Sequence, residues 1–183
     1  IRAVPIEEVV VSPADGLVTY IGAEKNPLDD DKDQKTYTKV SIFLSVFDVH
    51  VNRMPVKASI SSIHYIPGKF LNATLDKSSK ENERNIIFAK SNNDNFYIVQ
   101  IAGLIARRIV CNLKVNQEVE KGDRIGIIKF GSRVDLYLPE SYDILITKGQ
   151  RVVGGETIIS NPNDIKKIKN SKYNLKGNFT TGS

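Results

Sequence analysis

Hydrophobic patterning in this chain comes only in short lengths, and that confines it to a β architecture. Runs at 38–44, 86–89, 96–101, 124–128, 133–138 and 157–159 are β-branched or alternate apolar with polar residues. Period-2 alternation of this kind is the signature of strands. Turn-forming residues separate the runs, and 91–95 (Ser-Asn-Asn-Asp-Asn) predicts a hairpin loop between two of them. No segment carries three or four turns of helical periodicity; 103–110 is the one stretch compatible with a short helix. With 183 residues, 40% of them hydrophobic, the chain is long enough for one packed core. The expectation is a mainly β fold: a compact β-sandwich or barrel-sandwich-like single domain with few short helices. It spans 1–162 and is followed by a polar, lysine- and asparagine-rich tail, 163–183, expected to be poorly ordered.

Two segments look alike. Val115-x-x-x-Val119-x-x-Gly122-Asp123-x-Ile125 parallels Ile146-x-x-x-x-x-Val152-x-x-Gly155-Glu156-x-Ile158. Each reads as strand, turn, Gly-acid, strand. Barrel-sandwich carrier domains share this pattern, but no lysine stands at a suitable hairpin tip in the usual context. A non-enzymatic binding or carrier domain is therefore one reading of the pattern and carries no further support from it.

Several chemistries find no residues. The single cysteine, Cys111, sits among apolar neighbours and excludes an intrachain disulfide. Two histidines, His50 and His64, do not furnish a multi-histidine metal site, and no metal is expected. The acidic loop with Asp29, Asp30, Asp31 and Asp33 lacks EF-hand spacing and reads as a solvated face. The net charge of +5 is a modest excess that fits an anionic membrane surface, a nucleic acid or nothing in particular, and the interleaved aromatic and basic residues of a nucleic-acid platform are missing. No run approaches the roughly 18 apolar residues of a spanning helix. The charged stretch 75–85, between apolar blocks, reads as a lid over a site.

Residues 130–139, Phe-Gly-Ser-Arg-Val-Asp-Leu-Tyr-Leu-Pro, put a Gly131-Ser132 pair between two strand-like runs. Glycine admits backbone conformations that other residues resist. A serine after it can turn its hydroxyl onto the preceding carbonyl, the geometry that self-cleavage of a peptide bond requires. Taken alone, the pair is a weak signal and reads first as a glycine-serine turn.

Together with SPADG (12–16), FLSVFDVHVNRMPV (43–56), YIPGKFLNA (65–73), ENERN (81–85) and QIAGLIARRIVC (100–111), this stretch resembles the phosphatidylserine decarboxylases, in their short branch. The resemblance covers roughly residues 9–160. It implies a proenzyme that cuts itself between Gly131 and Ser132 into a β chain, 1–131, and an α chain from 132. Ser132 would become a pyruvoyl group, with no pyridoxal phosphate and no metal. The substrate would be phosphatidylserine in an anionic membrane, the products phosphatidylethanolamine and carbon dioxide. Decarboxylating an amino acid leaves electrons that no side chain can absorb, so a carbonyl sink is needed. Such a group in the chain itself also suits a decarboxylase of a soluble amino-acid derivative.

The resemblance makes Ser132, His50 and Asp15 the catalytic candidates. His50 is the leading proton carrier, since an imidazole takes and gives protons near neutral pH. Asp15, a turn aspartate by its own chemistry, becomes a carboxylate partner in cleavage. Arg53, Arg84, Arg107 and Arg108 are candidates for the substrate phosphate, because a guanidinium matches phosphate in a bidentate way, and each reads at least as well as a surface arginine or one in a structural salt bridge. The longer branch of the family has a second histidine where this chain has Arg53, so its Asp-His-Ser relay does not carry over whole. The implied partners are the lipid and the two fragments bound to each other as a heterodimer, with no nucleic acid and a homo-oligomer left open. The implied location is peripheral, on the cytoplasmic face of a bacterial membrane; the resembled family often carries an apolar segment upstream.

Overall fold

A computed structural model describes residues 2–28, 33–75, 78–104, 108–128 and 131–162. The tail 163–183, Asp29, Asp30, Asp31 and Arg107 lie outside them. The described residues form strands β1 (Val10–Val11), β2 (Gly16–Lys25), β3 (Thr36–Leu44), β4 (Val51–Arg53), β5 (Ala58–Ile66), one helical turn α1 (Ser78–Glu81), β6 (Arg84–Ser91), β7 (Asp94–Ile101), β8 (Ile109–Cys111), β9 (Glu118–Val119), β10 (Arg124–Ile128), β11 (Ser132–Pro139), β12 (Arg151–Val152) and β13 (Ile158–Ser160). The mainly β expectation holds. The predicted hairpin joins β6 to β7, with Asn92 at a φ of 53° in its turn. Where a short helix was compatible at 103–110, the described end of that stretch enters strand β8 instead.

Eight strands form one antiparallel sheet in the order β12-β2-β3-β11-β7-β6-β5-β9, curled into a half-barrel. A three-stranded sheet, β4-β10-β8, and the β1-β13 pair complete the fold. The two similar segments form its two edges: β9 pairs with β5 at one end of the large sheet and β12 with β2 at the other. Each turns through a left-handed glycine, Gly122 at φ 86° and Gly155 at φ 80°, which residues with a Cβ rarely tolerate. Gly122 N–H donates to the Met54 carbonyl and Gly155 N–H to the Ser12 carbonyl, both at 2.8 Å. The two proline corners then cross-link, Val11 N–H to the Pro55 carbonyl at 2.9 Å and Arg53 N–H to the Pro13 carbonyl at 2.8 Å. SPADG and NRMPV are thus matching halves of one backbone crossing, the barrel-sandwich element that the repeated pattern announced.

The main core covers one face of the large sheet, where Val40, Ile42 and Leu44 of β3 meet Val134, Leu136 and Leu138 of β11 and Ile125 and Ile128 of β10. A second apolar layer of Tyr37, Ile86, Tyr97, Val99, Ile101 and Tyr137 covers the other face. Its tyrosines hold Asp33, whose carboxylate accepts from Tyr37 Oη at 2.5 Å and Tyr97 Oη at 3.1 Å. Burial raises the Asp33 pKa, but these hydrogen bonds and that from Lys35 N–H outweigh it, leaving the carboxyl below its ordinary value. Strand β11 is consequently buried on both faces: Arg133, Asp135 and Tyr137 are as enclosed as the apolar residues they alternate with. Its partners on either side are β3 and β7.

Candidate active site

Ser132 is the first residue of this central strand, opposite Leu44 of β3, and is 0% exposed. Its Oγ has no hydrogen-bond partner among the described residues. An orphaned buried hydroxyl costs about 1–3 kcal/mol, so the chain retains it against its own stability. Gly131 holds φ 69°, a left-handed conformation, although a Cβ there would meet nothing within 4 Å. Glycine is needed at 131 for its backbone and not for space. At Gly103 the reverse is true. A Cβ on Gly103 would stand 1.7 Å from the Gly131 carbonyl oxygen and 2.8 Å from its carbon. The carbonyl that Ser132 would attack is seated against the bare Cα of Gly103.

The segments around this step are tied by buried polar groups. Asn82 donates to the carbonyls of Leu71 and Ala102, both at 2.8 Å, and accepts from Leu71 N–H at 2.9 Å. Arg133 is paired with Asp135 at 2.9 Å and donates to the carbonyls of Ala73 at 3.1 Å and Leu75 at 3.2 Å. Removing one partner of such a buried pair costs about 3–5 kcal/mol, so β11 grips the 73–75 segment firmly. The blocks YIPGKFLNA, ENERN and QIAGL therefore converge on the Gly131-Ser132 step.

His50 lies at the end of a loop braced by Asp48. Asp48 accepts from Ser45 N–H and Ser45 Oγ, each at 2.8 Å, and pairs with Arg151. The half-buried His50 follows, and its carbonyl accepts from Ile128 N–H at 3.2 Å. Ile128 stands four residues before Ser132 in the chain, so the β4–β10 ladder brings the His50 backbone to the scission end of β10.

Arg53 is at the other end of that ladder, opposite Arg124, about 10 Å along the strand from His50. It donates to the Gly122 carbonyl at 2.7 Å. Burial and the charges of Arg2 and Arg124 lower its pKa against the pull of Asp15 and Glu156. Asp15 is in the same cluster, with Arg2 at 2.7 Å and Gly154 N–H at 2.7 Å. The structure thus joins Asp15 to Arg53 at the backbone crossing. Arg84 shares a face with Arg133, on the side of the sheet away from Ser132, and donates to the Asn82 carbonyl at 3.1 Å; burial lowers its pKa. Arg108 is exposed beside β8, and Arg107 lies outside the described residues. His64, on β5, is bonded to Ser62 at 2.9 Å and lines a groove on the outer face. Sequence reasoning missed Gly103, Asn82, Asp48 and the Arg133–Asp135 pair.

An all-β domain with a buried, orphaned serine hydroxyl beside a carbonyl pressed on bare glycine has the features that a self-processing serine proenzyme needs. Comparison with known proteins names the family. The family model for phosphatidylserine decarboxylase matches residues 1–160. The chain is 51% identical to the phosphatidylserine decarboxylase proenzyme of Wolbachia sp. subsp. Brugia malayi over 159 residues, covering 86% of this chain and 69% of that one. It is 50% identical to that of Ehrlichia chaffeensis over 170 residues, covering 91% and 74%, and 49% identical to that of Rickettsia typhi over 161 residues, covering 87% and 70%. The chain belongs to the phosphatidylserine decarboxylase family. The carrier reading of the repeated pattern is not favoured.

Proposed function

We propose that this chain is a proenzyme that cuts itself before Ser132 and then converts phosphatidylserine to phosphatidylethanolamine and carbon dioxide. The observation that carries the reading is the Gly131-Ser132 step itself, with its buried orphan Oγ and its carbonyl on Gly103. The Ser132 hydroxyl attacks the Gly131 carbonyl carbon, and the amide becomes an ester. A base removes the Cα proton of residue 132; the Cβ–Oγ bond breaks, and Gly131 leaves as a carboxylate. The remaining dehydroalanine tautomerises, takes up one water and loses ammonia, leaving residue 132 as a pyruvoyl group. Burial among Leu44 and the core excludes the bulk water that would otherwise hydrolyse the ester.

The residues fit that group. Residue 132 begins a strand that stays pinned whether or not the bond before it is intact, because β11 pairs with β3 and β7, both of the upstream fragment. The fragments 1–131 and 132–183 remain one folded unit for the same reason. The pyruvoyl carbonyl supplies the electron sink that decarboxylation needs. His50 delivers the proton to the substrate α-carbon, and Arg108, exposed beside the β8–β10 ladder that ends at Ile128, takes the phosphate. Denaturing mass spectrometry tests the reading: two chains are expected, the smaller without a free α-amine and lighter than a hydrolytic fragment by one ammonia. A homogeneous uncut chain in active enzyme overturns it.

His50→Ala, assayed after its cut fraction has been quantified, is expected to lose decarboxylation by about 10²–10⁴-fold, the range for a lost general acid. Near-normal turnover per cut molecule removes His50 from the mechanism.

Val46, Phe47 and Val49 on the loop before His50, and Leu104 beside Gly103, are exposed apolar side chains next to the site, Phe47 at 94%. No helix among the described residues is long and apolar enough to span a bilayer. With the net charge of +5, they support peripheral docking on the anionic cytoplasmic face of a bacterial membrane. Binding to anionic vesicles should fall as salt rises and shortens the reach of surface charge to about 8–10 Å. Phe47→Ser should weaken the salt-resistant part by about tenfold or more, the worth of one buried aromatic. Co-sedimentation with neutral and anionic vesicles across a salt series decides it. Equal binding to both lipids at every salt refutes the electrostatic claim, and unchanged binding of Phe47→Ser refutes insertion of the loop.

A further inference from the structure

A chain of three buried amides crosses from the large sheet to the small one. Asn85 Nδ2 donates to Gln100 Oε1 at 3.0 Å, and Gln100 Nε2 donates to Asn52 Oδ1 at 2.9 Å. Gly126 makes the crossing possible, because a Cβ there would stand 2.7 Å from Gln100 Nε2. The direction of the chain is set at one point. Gln100 Nε2 also faces the Val110 carbonyl at 3.4 Å, an acceptor only, so this end of the amide must be the nitrogen. Asn52 must then present its oxygen to Gln100, and its Nδ2 is left over. That nitrogen is buried, on a residue 0% exposed, and has no hydrogen-bond partner among the described residues.

Another orphan among the described residues of this interior is Ser132 Oγ. Register puts the two in one compartment. Ser132 and Val134 share the core-facing side of β11, and Gln100 is directly opposite Val134. Ser132 and Gln100 are therefore diagonal neighbours across adjacent strands, about 7–8 Å apart at the backbone, and Asn52 is bonded to Gln100 on the same side. One buried group is a donor lacking an acceptor. The other is an oxygen that acquires negative charge when the Cβ–Oγ bond breaks and its electron pair passes into the Gly131 carboxylate.

We propose that Asn52 Nδ2 is the donor to Ser132 Oγ during self-cleavage, held with its N–H₂ turned to the serine by the Asn85–Gln100 relay. This rests on the self-processing reading above and assigns Asn52 to the cutting step alone, not to decarboxylation. An amide suits the task because it donates without titrating and does not compete with the base for the Cα proton.

Two substitutions separate a donor from a mere packing group. Asn52→Leu keeps the shape, leaves Gln100 with the Val110 carbonyl and removes an orphaned donor, so its thermal stability should equal or exceed the parent's. Asn52→Asp keeps an oxygen acceptor for Gln100 and replaces the N–H₂ with a second carboxyl oxygen, whose burial carries a desolvation cost. Both should accumulate uncut chain, with cleavage slowed on the order of 10²-fold, as for loss of one preorganised donor to a developing oxyanion. The time course of intact mass after synthesis reads the rate, and turnover per cut molecule should match the parent. A folded Asn52→Leu chain that cuts at the parental rate overturns the assignment of Asn52 and leaves the self-processing reading standing. A parent chain that never cuts overturns both. If Asn52→Asp fails to fold, Asn52→Leu decides alone.

Discussion

Ser132→Ala is expected to emerge as one intact chain and to stay inactive. The hydroxyl is both the nucleophile that converts the Gly131 amide to an ester and the oxygen that leaves with the carboxylate, so alanine removes two steps at once. Activity should fall to the uncatalysed background, a loss of at least about 10⁶-fold, because the electron sink never forms. The variant should fold as well as the parent or better. Ser132 Oγ is buried without a hydrogen-bond partner among the described residues, and deleting an unsatisfied hydroxyl relieves a desolvation cost of about 1–3 kcal/mol. Loss of function with gained thermal stability separates chemistry from structure: a residue retained for packing would show neither. Scission of Ser132→Ala at the same bond, or turnover by the uncut chain, contradicts the proposed cofactor origin.

Local patterning made part of this legible. The alternation at 133–138 and the Asn-rich turn at 91–95 carry their own strand and hairpin signals, and β11 and the β6–β7 hairpin follow them. The paired Gly-acid segments were readable as one motif used twice, since Gly122 and Gly155 both need φ above 80° or at it. Alternation cannot report a second covering layer. Arg133 and Asp135 look like a solvent face in the sequence, yet the 73–75 segment and the tyrosine layer over β11 enclose them. The site was legible at Gly131 and Ser132, where the chemistry is contiguous in the chain. It was not legible at Asn52, whose meaning depends on Gln100 and Val110, nor in the pairing of Asp15 with Arg2 and Gly154. One signal was there to find: Gln100 interrupts the apolar run of β7, and Asn85 begins that of β6, both on the core-facing side. A polar residue at an apolar position has to be satisfied by a partner, and here Asn85 donates to Gln100.

Gly103→Ala is the sharpest test of the scission geometry, because Gly103 contributes no side chain and can act only through what it allows to approach. A Cβ at 103 would lie 1.7 Å from the Gly131 oxygen, far inside any contact distance. Because Ser132 is paired with Leu44 of β3 and the next residue, Arg133, with Ile101 of β7, the strain falls on Gly131 and turns its carbonyl away from Oγ. A displacement of about 1 Å at a reacting centre costs on the order of 10²-fold in rate, and cleavage of Gly103→Ala should slow by at least that much. Overpacking also destabilises, by about 1–3 kcal/mol, so a comparator is needed. Gly122→Ala meets Val4 side-chain atoms at 2.5 Å and imposes a left-handed φ of 86° on alanine, at the backbone crossing and away from Gly131. It should lose stability and still cut at the parental rate. Intact mass against time, with melting temperature measured on both variants, reads the two effects separately. Parental cleavage by a folded Gly103→Ala chain would show that the Gly131 carbonyl reaches Ser132 from some other position.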